Sequence, residues 1–170
     1  MTVPVLVFAG LLAAAGPAHA APPAGFPDLD VFPAVDPAPY QVFGAHPSTS
    51  GWMFRTPAGL RCQDSLIPDL GIYCSTPGPE GSMASVSLTH EGVVGPADTA
   101  TGADSQPAPI LPVGMRFAAG NGVVCAAPTI DTFACRAAKP DSWPADTVDP
   151  PDRHYGEHGF VFGRASNWTY

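Results

Sequence analysis

Three stretches of the chain line up without a gap: Gly51 to Cys62 (GWMFRTPAGLRC), Gly114 to Cys125 (GMRFAAGNGVVC) and Gly159 to Tyr170 (GFVFGRASNWTY). In each, a glycine stands three residues before a phenylalanine: Gly51 and Phe54, Gly114 and Phe117, Gly159 and Phe162. Five residues after that phenylalanine comes Gly59, Gly122 or Asn167, residue types that accept positive φ in a hairpin turn. Eight residues after it comes Cys62, Cys125 or Tyr170, so the third copy has an aromatic ring where the others have sulfur. Each unit reads as strand, tight turn, strand. Copies at irregular spacing do not describe a solenoid. They predict related hairpins sharing one mainly antiparallel sheet or a small barrel.

The rest of the chain agrees with an all-β reading. Its 22 prolines and 18 glycines fall too often to leave room for long helices. Ala84, Val86 and Leu88 alternate with Ser85, Ser87 and Thr89, the period of two expected of a half-buried strand. Residues 91–112 and 139–153 are Pro-, Gly- and Asp-rich and read as long loops. Residues 21–50 hold seven prolines and read as an extended arm, with Phe26, Val31, Phe32 and Tyr40 available to dock it. Before them, Val3 to Ala15 is an apolar run followed by Ala18-His19-Ala20, the small-x-small pattern of a signal peptidase site. The expected organisation is a signal peptide over 1–20, an arm over 21–50 and a disulfide-stabilised β domain over 51–170. After cleavage no segment is apolar enough to span a bilayer, and the chain should be exported, to the extracellular space or the cell envelope.

Four cysteines in an exported chain read as two disulfides. Of the three possible pairings, Cys62–Cys74 and Cys125–Cys135 are expected, because each pair is close in sequence with turn residues between. Opposed residues of a hairpin lie within bridging range, and closing such short loops stabilises by roughly 3 kcal/mol each. No two cysteines stand at the C-x2-4-C spacing of a zinc pair, and there is no C-x-x-C redox motif.

FRTPAGLRC with a following Tyr73-Cys74, Leu111-Pro112-Val113-Gly114 before a second Phe-to-Cys segment, Val123-Val124-Cys125 with Phe133-Ala134-Cys135, and a closing HGFVFGRASNWTY together resemble a family of actinobacterial, mycobacterial-like exported proteins that carry a domain of unknown function. The likeness covers about Gly51 to Tyr170. This chain departs from the family's Ser-Pro-Ser-Gly-Asn-Ile at Thr56-Pro57-Ala58-Gly59-Leu60-Arg61. The resemblance implies export and paired disulfides, and no catalytic residues.

Charge removes one function class. Seven basic against 15 acidic residues give a net charge of −8 with a single lysine, Lys139, so the concentration of positive charge that nucleic acid binding needs is missing. His154-Tyr155-Gly156-Glu157-His158 matches H-x-x-E-H, a zinc-hydrolase spacing that requires a helix to bring both imidazoles to one side. Pro150, Pro151, Gly156 and Gly159 oppose that helix, and His154, Glu157 and His158 read better as polar loop residues. His90, with Ser85, Ser87 and Glu91 near it, lacks the G-x-S-x-G elbow of a serine hydrolase. Asp141, Asp146, Asp149 and Asp152 do not follow EF-hand spacing. Asn167-Trp168-Thr169 matches the glycosylation sequon inside a predicted strand. The aromatics Trp52, Trp143, Tyr155, Trp168 and Tyr170 could line a face for glycan or lipid. No cofactor is expected. The sequence therefore points to a non-enzymatic binding module for an envelope or extracellular ligand, with a secreted hydrolase or an inhibitor of secreted enzymes as alternatives.

Overall fold

A computed structural model describes residues 22–77, 81–97 and 107–170; the expected signal peptide lies outside them. Eleven strands form two antiparallel sheets. The first holds β1 (Gln41–Val42), β2 (Gly51–Arg55), β3 (Arg61–Ser65), β4 (Ile72–Ser75), β5 (Ser82–Val86) and β6 (Val93–Pro96), in chain order. The second holds β7 (Arg116–Ala118), β8 (Val123–Thr129), β9 (Thr132–Ala137), β10 (His158–Gly163) and β11 (Trp168–Thr169), also in chain order. Among the described residues there is no α-helix, only three short 3-10 turns. The all-β expectation holds, but there are two sheets rather than one and they do not close into a barrel.

The sheets are two copies of one meander. A row of directly paired residues crosses the first sheet as Phe54, Cys62, Cys74, Ala84 and Val94. The matching row crosses the second as Phe117, Cys125, Cys135, Phe160 and Thr169. Strands β2–β6 thus correspond to β7–β11. The first two sequence repeats open the two halves. The third is a hairpin, as expected, but it is the closing hairpin of the second half and has another register. Its first and last residues pair, each of Gly159 and Tyr170 donating its N–H to the other's carbonyl at 3.0 Å, and Phe160 rather than Phe162 faces the returning strand. At its bend Gly163 N donates to Asn167 Oδ1 at 3.0 Å, so the residue in the place of Gly59 and Gly122 acts through its side chain.

Both cysteine pairs are disulfides, Cys62–Cys74 and Cys125–Cys135. Each joins directly opposed residues of neighbouring strands, and each is fully buried. The inner faces of both sheets meet around them in one core, with Phe54, Phe117, Phe133 and Phe160 in a chain of ring contacts 5.0 to 6.0 Å apart. Gly59 and Gly122 occupy the same place in the two opening hairpins, at φ 89° and 95°. The cost of a side chain there should differ. Nothing lies within 4 Å of a Cβ added at Gly59, whereas one at Gly122 would meet the Ala138 carbonyl oxygen. Gly59→Ala should lose about 1–2 kcal/mol, the cost of left-handed backbone alone, and Gly122→Ala clearly more; urea denaturation of both variants checks this.

The arm is part of the fold. Tyr40 is buried against Phe54 and Phe117, with ring centroids 6.2 and 5.6 Å away. Further upstream, Phe26, Leu29 and Phe32 cover the outer face of the second sheet at Ala126, Ala134 and Val161. Leu29 is the most buried of these, whereas Val31 is 69% exposed and docks nothing. The arm also forms a parallel bridge to the edge strand of the second half, Ala34 opposite Arg116. The segment leading into the second half does the same for the first: Ile110 bridges Arg55 in parallel, and Leu111 N donates to Arg55 O at 2.9 Å. The expected loop over 91–112 therefore contains β6 and this edge segment.

Candidate functional site

Residues next to the core-facing phenylalanine and cysteines point outward, because strand neighbours alternate. In the second sheet these are Arg116, Ala118, Val124 and Arg136, and they floor a cleft of about 590 Å³. The arm supplies one wall through Asp30, and Lys139 to Ser142 supply the other. Asp30 is held by both floor arginines, Oδ1 to Arg116 Nη1 at 3.5 Å and Oδ2 to Arg136 Nη2 at 3.1 Å. Arg116 Nε also donates to Phe32 O at 2.9 Å, so the wall is tied to the floor at two points. Glu157 closes the rim and accepts from Tyr170 OH at 3.4 Å. Burial, and then the Glu157 charge, push the Tyr170 phenol above its ordinary range, so it stays a donor.

Lys139 joins the cleft to an aromatic pair. Its ammonium lies 5.5 Å from the centre of the Tyr155 ring, and Tyr155 packs edge-on to Trp143 at 5.3 Å. Lys139 Nζ donates to Thr147 O at 3.0 Å and pairs with Asp149 Oδ1 at 3.5 Å. Asp149 also faces His154 Nδ1 at 3.1 Å. That hydrogen bond, with a smaller contribution from Lys139, holds the Asp149 carboxyl below its usual range.

The five aromatics singled out from sequence occupy three places, with Tyr170 beside Trp168 and Phe26. Trp143 and Tyr155 come together beside the cleft. Trp52 packs against Phe117 at the core, and Trp168 packs against Phe26 on the outer face under the arm. The H-x-x-E-H residues do not converge: His154 turns to Asp149, Glu157 to Tyr170, and His158 begins β10 opposite Ala137. Among the described residues, no group of three or more His, Cys, Asp or Glu could hold a metal ion, and Asp141, Asp146, Asp149 and Asp152 are not brought together. His90 Nδ1 lies 2.9 Å from Thr89 Oγ1 and 3.3 Å from Ser87 Oγ. With Thr89 N also donating to Ser87 Oγ, this is the bonding of a local turn.

Sequence reasoning passed over Asp30, Arg116 and Arg136. Their outward direction was readable from the adjacent Phe117 and Cys135, but Asp30 meets Arg136 from 106 residues away. A second feature fits the inhibitor alternative. The β3–β4 loop carries Leu66, Ile67 and Leu70 at 41%, 36% and 53% exposure above the Cys62–Cys74 disulfide. It is braced by Leu70 N to Ile67 O, Gly71 N to Pro68 O and Ile67 N to Ser65 Oγ, at 3.0 to 3.1 Å.

No protein-family model, curated protein or solved structure matches the chain. Two disulfides suit an oxidising, extracellular environment. Among the described residues, no helix is long and apolar enough to cross a membrane.

Proposed function

We propose that this is an exported, non-enzymatic binding module of the cell envelope or extracellular space, of the actinobacterial kind its motifs resemble. The observation that carries the reading is the cleft on the second sheet, which has the size of a small-ligand site. Its floor is braced by the Cys125–Cys135 disulfide beneath it. Lys139, Asp141, Ser142 and Glu157 offer donors and acceptors of both signs, and the Trp143–Tyr155 pair offers apolar ring surface beside them. That combination suits a hydroxyl-rich, weakly charged ligand such as a glycan, since a polyanion would meet Asp30, Asp141 and Glu157.

Oxidised protein should bind saturably to the polysaccharide fraction of the source envelope, in preference to the lipid and protein fractions. Trp143→Ala and Tyr155→Ala should each weaken that binding about tenfold. Absence of binding to every fraction, with both disulfides intact, would overturn the reading. A second reading, inhibition of a secreted enzyme, is favoured by the braced apolar loop at 66–70. Inhibition lost on Leu70→Asp and unaffected by Trp143→Ala would establish it instead.

A further inference from the structure

The β2–β3 hairpin sets two arginines directly opposite each other on the outer face of the first sheet, Arg55 and Arg61. Directly opposed like charges destabilise a ladder. Among the described residues every other lysine and arginine is ion-paired: Arg116 and Arg136 with Asp30, Lys139 with Asp149, Arg153 with Asp69 and Asp152, Arg164 with Asp131. Arg55 and Arg61 instead have one tether each. Arg55 Nε donates to Ala108 O at 3.0 Å, and Arg61 Nη2 lies 2.9 Å from Met53 Sδ. The tethers orient the guanidinium groups and leave their other N–H groups uncommitted among the described residues. Both arginines line a pocket of about 290 Å³, with Ser75 opposite Arg61 on β4 and with Ile110 and Pro77 as an apolar wall.

We propose that this pocket binds an oxyanion, a carboxylate or a phosphate ester, carried on a small apolar body. The second sheet shows the same chemistry satisfied within the chain, where two outward arginines hold the Asp30 carboxylate between them. The first sheet turns its arginine pair towards a pocket. Two guanidinium forks and a serine hydroxyl supply the donors an oxyanion accepts, and Ile110 and Pro77 supply contact for the apolar part. A net charge of −8 disfavours anions at long range, so capture rests on the short, charge-assisted bonds of the pair.

The test is an NMR titration of the oxidised protein with benzoate and with phenyl phosphate, each against sodium chloride at constant ionic strength, read at the arginine Nε–H and backbone amide signals. Saturable shifts at Arg55, Arg61, Ser75 and Thr76 are expected with at least one probe, and the tighter probe names the oxyanion. Arg55→Gln and Arg61→Gln should each weaken binding about tenfold or more, and Arg164→Gln should leave it unchanged. Both pocket variants should melt within a few degrees of the parent, because relief of the opposed like-charge pair offsets the lost tether, so lost binding would not reflect lost fold. Shifts that match chloride without saturating, or affinities equal in parent and variants, would overturn the site.

Discussion

Reduction of both disulfides should unfold the protein at about 37 °C, and removal of either one should leave a weakened but folded chain. The bridged residues are 12 and 10 positions apart, so each closure restricts the unfolded chain by roughly 3 kcal/mol in the loop-entropy account. A domain of this size is stable by only about 5–15 kcal/mol, and losing about 6 kcal/mol removes much or all of that margin. The bridges also sit at the centre of the packing, in the rows that begin at Phe54 and Phe117, so freed thiols would leave buried contacts unmade. Cys62→Ala/Cys74→Ala and Cys125→Ala/Cys135→Ala should each lower the melting temperature by about 10 °C. Circular dichroism melts with and without reductant check both expectations. A reduced protein that melts within a few degrees of the oxidised one would show that the core alone holds the sheets.

Asn121→Ala should be the costliest single polar substitution, at about 3–5 kcal/mol. Asn121 sits in the β7–β8 turn of the second half, and its Nδ2 donates to Asp64 Oδ1 and to Ser65 O of the first half, both at 2.8 Å. Its Oδ1 accepts from Val123 N at 3.2 Å. Asp64 is fully buried, and its Oδ2 has no partner among the described residues. Alanine at 121 would strip two buried acceptors and one donor at once. Burial pushes the Asp64 carboxyl well above its ordinary range, with the Asn121 hydrogen bond pulling the other way. The folded chain therefore holds this proton more tightly than the unfolded chain does. Its stabilising contribution is complete below the ordinary carboxylate pKa of about 3.9 and is lost as pH rises through the folded-state value. Asp64→Asn should flatten that part of the melting-temperature profile between mildly acid and neutral pH. Parallel profiles for parent and variant would refute the assignment.

The parts of this fold that are local in sequence were readable. Phe54 to Cys62 and Phe117 to Cys125 each carry the turn glycine and the partner residue of their own hairpin, and the disulfides follow from the next strand along. The third hairpin was readable as a hairpin and not in its register, because there Asn167 makes the bend with its side chain and Tyr170 pairs back to Gly159. The correspondence of β5–β6 with β10–β11 was hidden, since Ala84 takes the place of Phe160 and the connections before them differ in length. The candidate site was legible only as a stock of residue types. Trp52, Trp143, Tyr155 and Trp168 look alike in a sequence. What separates core from cleft is packing against residues far along the chain, such as Phe117 and Lys139. Leu29 and Asp30 lie in a Pro-rich stretch with no periodicity, and only the face they cover gives them meaning.

The two parallel edge bridges have a consequence for how this molecule holds together. The segment entering the first half seals the rim of the second at Arg116, and the segment entering the second half seals the rim of the first at Arg55. Each half thus lends the other the piece that finishes it, as exchanged arms do between the subunits of a swapped dimer. The chain is in that sense a dimer written on one strand. A half taken alone would lack the segment that covers its rim, at Arg55 in the first and at Arg116 in the second.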